Sequence, residues 1–331
     1  MFPALTLADW RAGIKMAIAF TFPGQGSQAV GMGKTLAENF ATARAVFDEI
    51  DQALAQKLSV LMWEGPEAEL TLTENAQPAL MAVSMAVIRV LEIEHGITVT
   101  NTAKFVAGHS LGEYSALAAG GTLTLSDAAR LLKTRGLAMQ TATPVGVGAM
   151  AALLGLDLPA AAQVATEAAQ GEICQVANDN SEGQVVISGH KAAIERALVI
   201  AKEKGAKRTI LLPVSAPFHC ALMQPAADRM AEALANVAMK APVVPVIANV
   251  AAGPLTDPVQ IRQKLVEQVT GTVRWRECVG YMADHGVTQF WELGAGKVLT
   301  GLLKKNAPQA VGFALATPSE IATAVAQLKQ G

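Results

Sequence analysis

Cysteine is scarce: Cys174, Cys220 and Cys278 are the only three in 331 residues, and no two stand at a spacing that pairs them or builds a zinc site. That excludes a disulfide scaffold and points to reduced thiols in a cytoplasmic protein. Charge is sparse as well, at 16% of residues, and 26 Lys and Arg against 28 Asp and Glu leave a formal net charge of -2. So neutral a chain has no global attraction for nucleic acid or an anionic membrane. Electrostatic recognition must come from a local patch such as Lys207-Arg208, Arg274 with Arg276, or Lys304-Lys305. No stretch supplies the ~18 uninterrupted apolar residues of a membrane span. Residues 1–16 contain Asp9, Arg11 and Lys15 rather than a secretory pattern. Residues 1–15 are expected to form an N-terminal extension outside the fold, with Met16 as an alternative start. What the chain does have is 51% hydrophobic residues, enough to bury a large core as one domain with an insertion or as two domains.

Short apolar runs alternate with longer helical patterns. Strands are expected at 17–22, 105–107, 244–249 and 289–293, and helices near 29–56, 75–95, 111–119, 126–142, 219–236, 258–269 and 296–305. Such alternation implies a parallel sheet covered on both faces. Between 143 and 212 the rhythm changes to strand 148–154, helix 159–169, strands 173–178 and 184–188, helix 192–204 and strand 207–212. That βαββαβ order is the ferredoxin-like split unit. Pro144-Val145-Gly146-Val147-Gly148 and Pro213 mark its ends. The expected organisation is a large domain of residues 16–142 and 213–331 carrying a small subdomain of residues 143–212, with a ligand groove between them.

Gly108-His109-Ser110-Leu111-Gly112 follows an apolar strand pattern and precedes a helical one. Gly-x-Ser-x-Gly in that context is a nucleophile elbow, a tight turn that projects the serine hydroxyl toward substrate. The fold class therefore reads as α/β: an α/β-hydrolase-like parallel-sheet domain with an inserted ferredoxin-like subdomain. The amide of Leu111, at the helix start, can donate to a developing oxyanion. Phe22-Pro23-Gly24-Gln25-Gly26-Ser27-Gln28 follows the first strand and imitates a dinucleotide fingerprint. The acidic residue that fingerprint needs about 20 positions on is missing from a second strand, because Asp48 and Glu49 fall in a helical pattern. The loop suits better the second backbone donor of an oxyanion hole.

A serine nucleophile needs a base, and five histidines are available. His95 and His285 each precede a glycine at an apparent helix end, where capping and the helix dipole account for them. His190 reads as a helix-start residue. His109 adjoins the serine, but neighbours on a sharp turn point apart. His219, at the return from the insert, can face the groove; its other reading is a helix N-cap. Arg135 falls within the apolar stripe Ala128, Leu131, Leu132, Ala138 and Met139 of its helix. A guanidinium there needs an anionic partner, either an internal carboxylate or the carboxylate of a substrate.

In these motifs the chain resembles the malonyl-CoA:acyl-carrier-protein transacylases of bacterial fatty-acid synthesis. The resemblance runs from Met16 to the C-terminus and also includes Arg135-Gly136 with Met139-Gln140, Gly148-Ala149-Met150-Ala151-Ala152, Asn180-Ser181, 184–189 and Ala216-Pro217-Phe218-His219. It implies Ser110 as nucleophile, His219 as base, Arg135 as ligand of the malonyl carboxylate, and the amides of Gln25 and Leu111 as oxyanion hole. It implies that the backbone carbonyl of Gln268 orients the histidine, near Thr272-Val273-Arg274-Trp275, where Thr272 stands in place of the family's usual proline. Phe218 resembles the residue of malonyl-selective members. The implied reaction is ping-pong transfer of malonyl from malonyl-CoA, releasing CoA, to the phosphopantetheine thiol of holo acyl carrier protein. It uses no metal or other cofactor and involves no nucleic acid or membrane; a monomeric cytoplasmic enzyme is expected. The competing readings from the residues alone are a serine esterase or thioesterase and a nucleotide-binding protein.

Overall fold

The computed structural model describes residues 17–214 and 216–329, so the expected extension at 1–15 lies outside the described residues. In chain order the strands are β1 Ile18–Phe22, β2 Ala103–Gly108, β3 Gly148–Leu154, β4 Cys174–Ser181, β5 Gln184–His190, β6 Arg208–Leu211, β7 Val246–Ala248, β8 Gly253–Leu255, β9 Gln289–Leu293 and β10 Val311–Leu315. Six form one sheet in the order β10-β9-β1-β2-β7-β8, parallel except for the antiparallel β8 edge. All five residues of β1 are buried, as expected of a central strand with neighbours on both edges and cover on both faces. On it Phe20 stacks against Trp291 of β9 with ring centroids 5.7 Å apart.

The expected strands recur with boundaries shifted by up to three residues, the largest shift being at the end of β4. β8 and β10 were not anticipated, and both have a physical reason to be faint. β8 has three residues with Pro254 in the middle, and β10 is an edge strand in which only Leu315 is buried. The expected helix at 29–56 is broken. Gly33 at φ 76° starts the helix Lys34–Asn39, and extended Phe40 separates it from the helix Ala41–Leu54. The helix Thr73–His95 is apolar nearly all round. By length and composition it is the one helix among the described residues that could cross a membrane, but 83% of its apolar window is buried inside the protein. It packs between the helices Ala41–Leu54, Leu125–Thr141 and Gly112–Ala119.

The remaining four strands make an antiparallel sheet in the order β4-β5-β3-β6. With the helices Leu158–Ala169 and Lys191–Glu203 this is the ferredoxin-like subdomain. Its period-2 alternation divides the side chains cleanly. Ala151, Leu153, Val185 and Ile187 face the subdomain's own helices. Met150, Ala152 and Val186 join the core of the larger body. The two layers therefore share a hydrophobic seam along one side of a cleft. β2 and β9 flank β1, so the loops leaving the carboxyl ends of β1 and β2 open into that cleft, where parallel sheets place their ligands.

Candidate active site

β2 ends at Gly108 and the next helix begins at Gly112, which forces Ser110 to φ 53°. A left-handed serine costs on the order of 1–3 kcal/mol, and the surroundings hold it there. Ser110 N donates to Asn249 Oδ1 at 2.7 Å, and Ser110 O accepts from Gln268 Nε2 at 3.1 Å and from Glu113 N at 3.0 Å. Asn249 is itself fixed by donating from Nδ2 to Gly108 O at 2.7 Å. The two glycines are steric requirements. A Cβ on Gly108 would stand 1.9 Å from the backbone carbonyl of Gly112, and one on Gly112 would stand 2.3 Å from Phe22 O.

Ser110 Oγ lies 2.8 Å from His219 Nε2. His219 Nδ1 lies 2.9 Å from Gln268 O. A carbonyl only accepts, so Nδ1 carries the proton and Nε2 offers its lone pair to the serine hydroxyl. Burial first, then the nearby Arg135 charge, pushes the His219 pKa down to about 3, so the ring is neutral in the free protein. His219 sits at φ 57° outside any helix; a 3-10 turn, Ala221–Met223, precedes the helix Gln224–Ala235, so the N-cap reading is not realised. Three of the other histidines have partners of their own. His109 Nε2 meets Asn180 Oδ1 at 2.8 Å, and His190 Nδ1 accepts from Ile173 N at 2.9 Å. His285 Nδ1 donates to Tyr281 O at 2.7 Å, and His95 is the last residue before the left-handed Gly96.

Arg135 is 1% exposed. Its Nη1 donates to Gln77 Oε1 at 2.9 Å, and its Nη2 donates to Gln268 Oε1 at 2.9 Å and to Ser110 Oγ at 3.1 Å. The guanidinium lies 5.7 Å from the centroid of the Tyr114 ring. No ion pair reaches it among the described residues, so the internal salt-bridge alternative is not what the structure shows. A cleft of about 480 Å³ between body and subdomain is lined by Ser110, His219, Arg135, Gln25 and Leu111. Gln268 stands behind it, fully buried. Neither backbone N–H of Gln25 nor that of Leu111 is engaged with another described residue. Met139, Met150, Leu212 and Phe218 give the cleft an apolar part of its lining.

Residues 19–330 match the acyl transferase domain family. The chain belongs to that family. It is 48% identical over 314 residues to the malonyl CoA-acyl carrier protein transacylase of Bacillus subtilis (strain 168), covering 95% of this chain and 98% of that one. The crystal structure of the acyl-carrier-protein-S-malonyltransferase from Bartonella henselae superposes with a TM-score of 0.92 at 56% identity, covering 95% and 100% of the two chains. A malonyl-transacylase solved in complex with its type II PKS acyl-carrier protein superposes at 0.91 with 42% identity over 94% and 99%. The protein is therefore an acyltransferase, and its fold is the α/β-hydrolase-like body with a ferredoxin-like subdomain.

Several residues around Ser110, His219 and Arg135 were not anticipated from sequence. Asn249 closes the expected strand 244–249 and could have been noticed as a polar end to an apolar run. Gln77 gave no signal, being a helical residue of a common type; Glu113 belongs to the motif Gly108-His109-Ser110-Leu111-Gly112-Glu113-Tyr114 that carries the resemblance, but no role was read for it. Thr272, in place of the family's proline, donates from Oγ1 to Val176 O at 2.7 Å and ties the loop to β4. Two of the basic residues expected on the surface are already paired: Arg274 with Glu277, and Arg276 with Asp179.

Proposed function

We propose that the protein transfers the malonyl group of malonyl-CoA to the phosphopantetheine thiol of acyl carrier protein, through a malonyl ester on Ser110, for fatty-acid synthesis. The observation that carries the reading is the buried Arg135 donating to the oxygen of Ser110 while no carboxylate among the described residues pairs with it. That is an anion receptor one hydrogen bond, 3.1 Å, from a nucleophile. A malonyl carboxylate on the guanidinium would place the thioester carbon beside Oγ, the arrangement that turns binding into orientation for attack.

In the first half-reaction Ser110 Oγ attacks the thioester carbon as His219 Nε2 takes its proton. The negative charge moves to the carbonyl oxygen, where the amides of Gln25 and Leu111 are free to receive it. The C–S bond breaks, His219 returns the proton to the sulfur, and CoA leaves. In the second half the phosphopantetheine thiol occupies the same cleft, gives its proton to His219 and attacks the ester carbon. The ester C–O bond breaks, and the proton goes back to Ser110. The Gln268 carbonyl stabilises the imidazolium at each passage by accepting from Nδ1. Residues 143–212 form, in this reading, a subdomain inserted between 16–142 and 213–331 that supplies the apolar wall of the cleft. The same reading makes the protein a cytoplasmic monomer without a bound metal or cofactor. Incubation with radiolabelled malonyl-CoA tests it: label should be retained on the wild type and absent from Ser110→Ala, with turnover down by on the order of 10⁴ or more. Label retained by Ser110→Ala would end the reading.

A further inference from the structure

Behind the cleft, Glu113 has no part in the chemistry just described, and yet it is an acidic side chain only 2% exposed. It stands on the first turn of the helix Gly112–Ala119, three residues after the nucleophile. Its Oε2 accepts from Asn249 N and from Gln268 Nε2, both at 2.9 Å. Burial raises its pKa to about 7 against the opposing pull of these donors and of Arg135.

The side-chain amide of Gln268 has one donor end and one acceptor end, and a carboxylate can face only the donor. With Nε2 turned to Glu113, Oε1 is turned to the opposite side, where it accepts from Arg135 Nη2 at 2.9 Å. Asn249 Oδ1 and Ser110 O also face Nε2, at 3.3 and 3.1 Å. Both are neutral, and Asn249 Oδ1 already accepts from Ser110 N. Glu113 Oε2 makes the shortest of the three contacts, at 2.9 Å, and is the one carboxyl oxygen among them. Gln268 thus has two separate tasks. Its main-chain carbonyl holds His219, and its side chain links Glu113 to Arg135.

We propose that Glu113 is a positioning residue for acyl selection: through the side-chain amide of Gln268 it fixes Arg135 in the geometry that receives an acyl carboxylate. The proposal rests on the malonyl reading of the site. Ion-pair geometry would have tied the guanidinium directly to Glu113 and taken it out of play. The intervening amide holds one nitrogen in place and carries part of the carboxylate's influence, and leaves Arg135 able to engage a ligand.

The test compares kcat/KM for malonyl-CoA and acetyl-CoA in Glu113→Ala and Glu113→Gln, alongside the rate of labelling by a fluorophosphonate, which needs only Ser110 and His219. Glu113→Ala should lower the malonyl-to-acetyl ratio about tenfold and leave fluorophosphonate labelling within about threefold, because the carbonyl on His219 Nδ1 is untouched. Glu113→Gln keeps an acceptor for both donors and should restore the ratio to within about threefold of wild type. If Glu113→Ala does not fold, Glu113→Leu, which fills the volume without an acceptor, interrupts the same link and should give the same collapse. A ratio unchanged in either disruptive variant overturns the proposal. So does a loss of malonyl transfer, acetyl transfer and fluorophosphonate labelling in equal proportion, which is the mark of a merely structural role. Failure of the underlying reading looks different: wild-type protein would then take no malonyl label on Ser110, and both conclusions would fall together.

Discussion

Replacing Arg135 with alanine separates a malonyl-selective transferase from any other enzyme built on the same elbow. In the free protein the guanidinium donates three hydrogen bonds, to Gln77 Oε1, Gln268 Oε1 and Ser110 Oγ, all neutral acceptors. A malonyl carboxylate would exchange some of these for charge-assisted bonds, worth about 1.5–3 kcal/mol each against about 1 for a neutral one. Two such exchanges give a net gain of about 1–4 kcal/mol, or roughly 5- to 900-fold in kcat/KM. Arg135→Ala also strands the oxygens of Gln77 and Gln268, but that cost falls equally on every substrate and cancels in a ratio. The assay is therefore the ratio of malonyl to acetyl transfer from the CoA thioesters, with circular dichroism and a melting curve to show that the variant folds. The ratio should collapse by that factor, while acetyl transfer changes little or rises, since an unmatched buried cation no longer opposes it. If a folded Arg135→Ala variant loses both activities in equal proportion, Arg135 is structural and the assignment of acyl specificity is wrong.

Acid stability tests the burial of His219. Its pKa falls from 6.5 unfolded to about 3 folded, so the unfolded chain takes a proton that the folded protein refuses, and stability is lost as pH falls from 6.5 toward 3. In urea melts, His219→Gln should gain about 2 kcal/mol on wild type between pH 7 and pH 5. Glu113, raised to about 7, runs the opposite way in both proteins and cancels; parallel pH profiles would show that His219 titrates normally. Gly112→Ala would drive a Cβ to 2.3 Å from Phe22 O, and a cost of about 3 kcal/mol or more should lower Tm by about 4 °C or more. A variant melting within about 2 °C of wild type would mean that the elbow can relax. Lys304 and Lys305 are exposed on the helix Val298–Asn306, so reversing both charges should slow transfer to acidic acyl carrier protein and spare loading by malonyl-CoA. Added salt should reproduce the defect in wild type, and salt-independent transfer would remove the electrostatic argument.

Local patterns carried a large part of the fold. β3 and β9 begin and end where the apolar runs place them, because a buried strand bounded by glycine and polar residues has few other conformations open to it. The helix at 29–56 was misjudged for an equally local reason: its apolar periodicity survives the break at Phe40, which is set by how two short helices pack on the core. Helices such as Leu58–Glu64 and Glu67–Thr71 escaped notice because fewer than two full turns leave too short a period to read.

The site divides along the same line. Sequence alone determined that Ser110 would stand on a strained turn, since Gly108 and Gly112 admit no side chain there, and that Arg135 would sit on an apolar face in need of a partner. Spacing favoured His219 as the expected base, and family resemblance supplied the expected roles of the malonyl carboxylate, the two amides and the Gln268 carbonyl. Only the tertiary structure decided what Arg135 touches: three neutral oxygens drawn from three separate segments, and no internal carboxylate within ion-pair distance among the described residues. It alone joined Glu113, Asn249 and Gln268 behind Ser110, residues 136 and 155 positions apart from Glu113 along the chain. A hydrogen bond depends on distance and direction in space, and a one-dimensional pattern records neither once the partners lie on different elements.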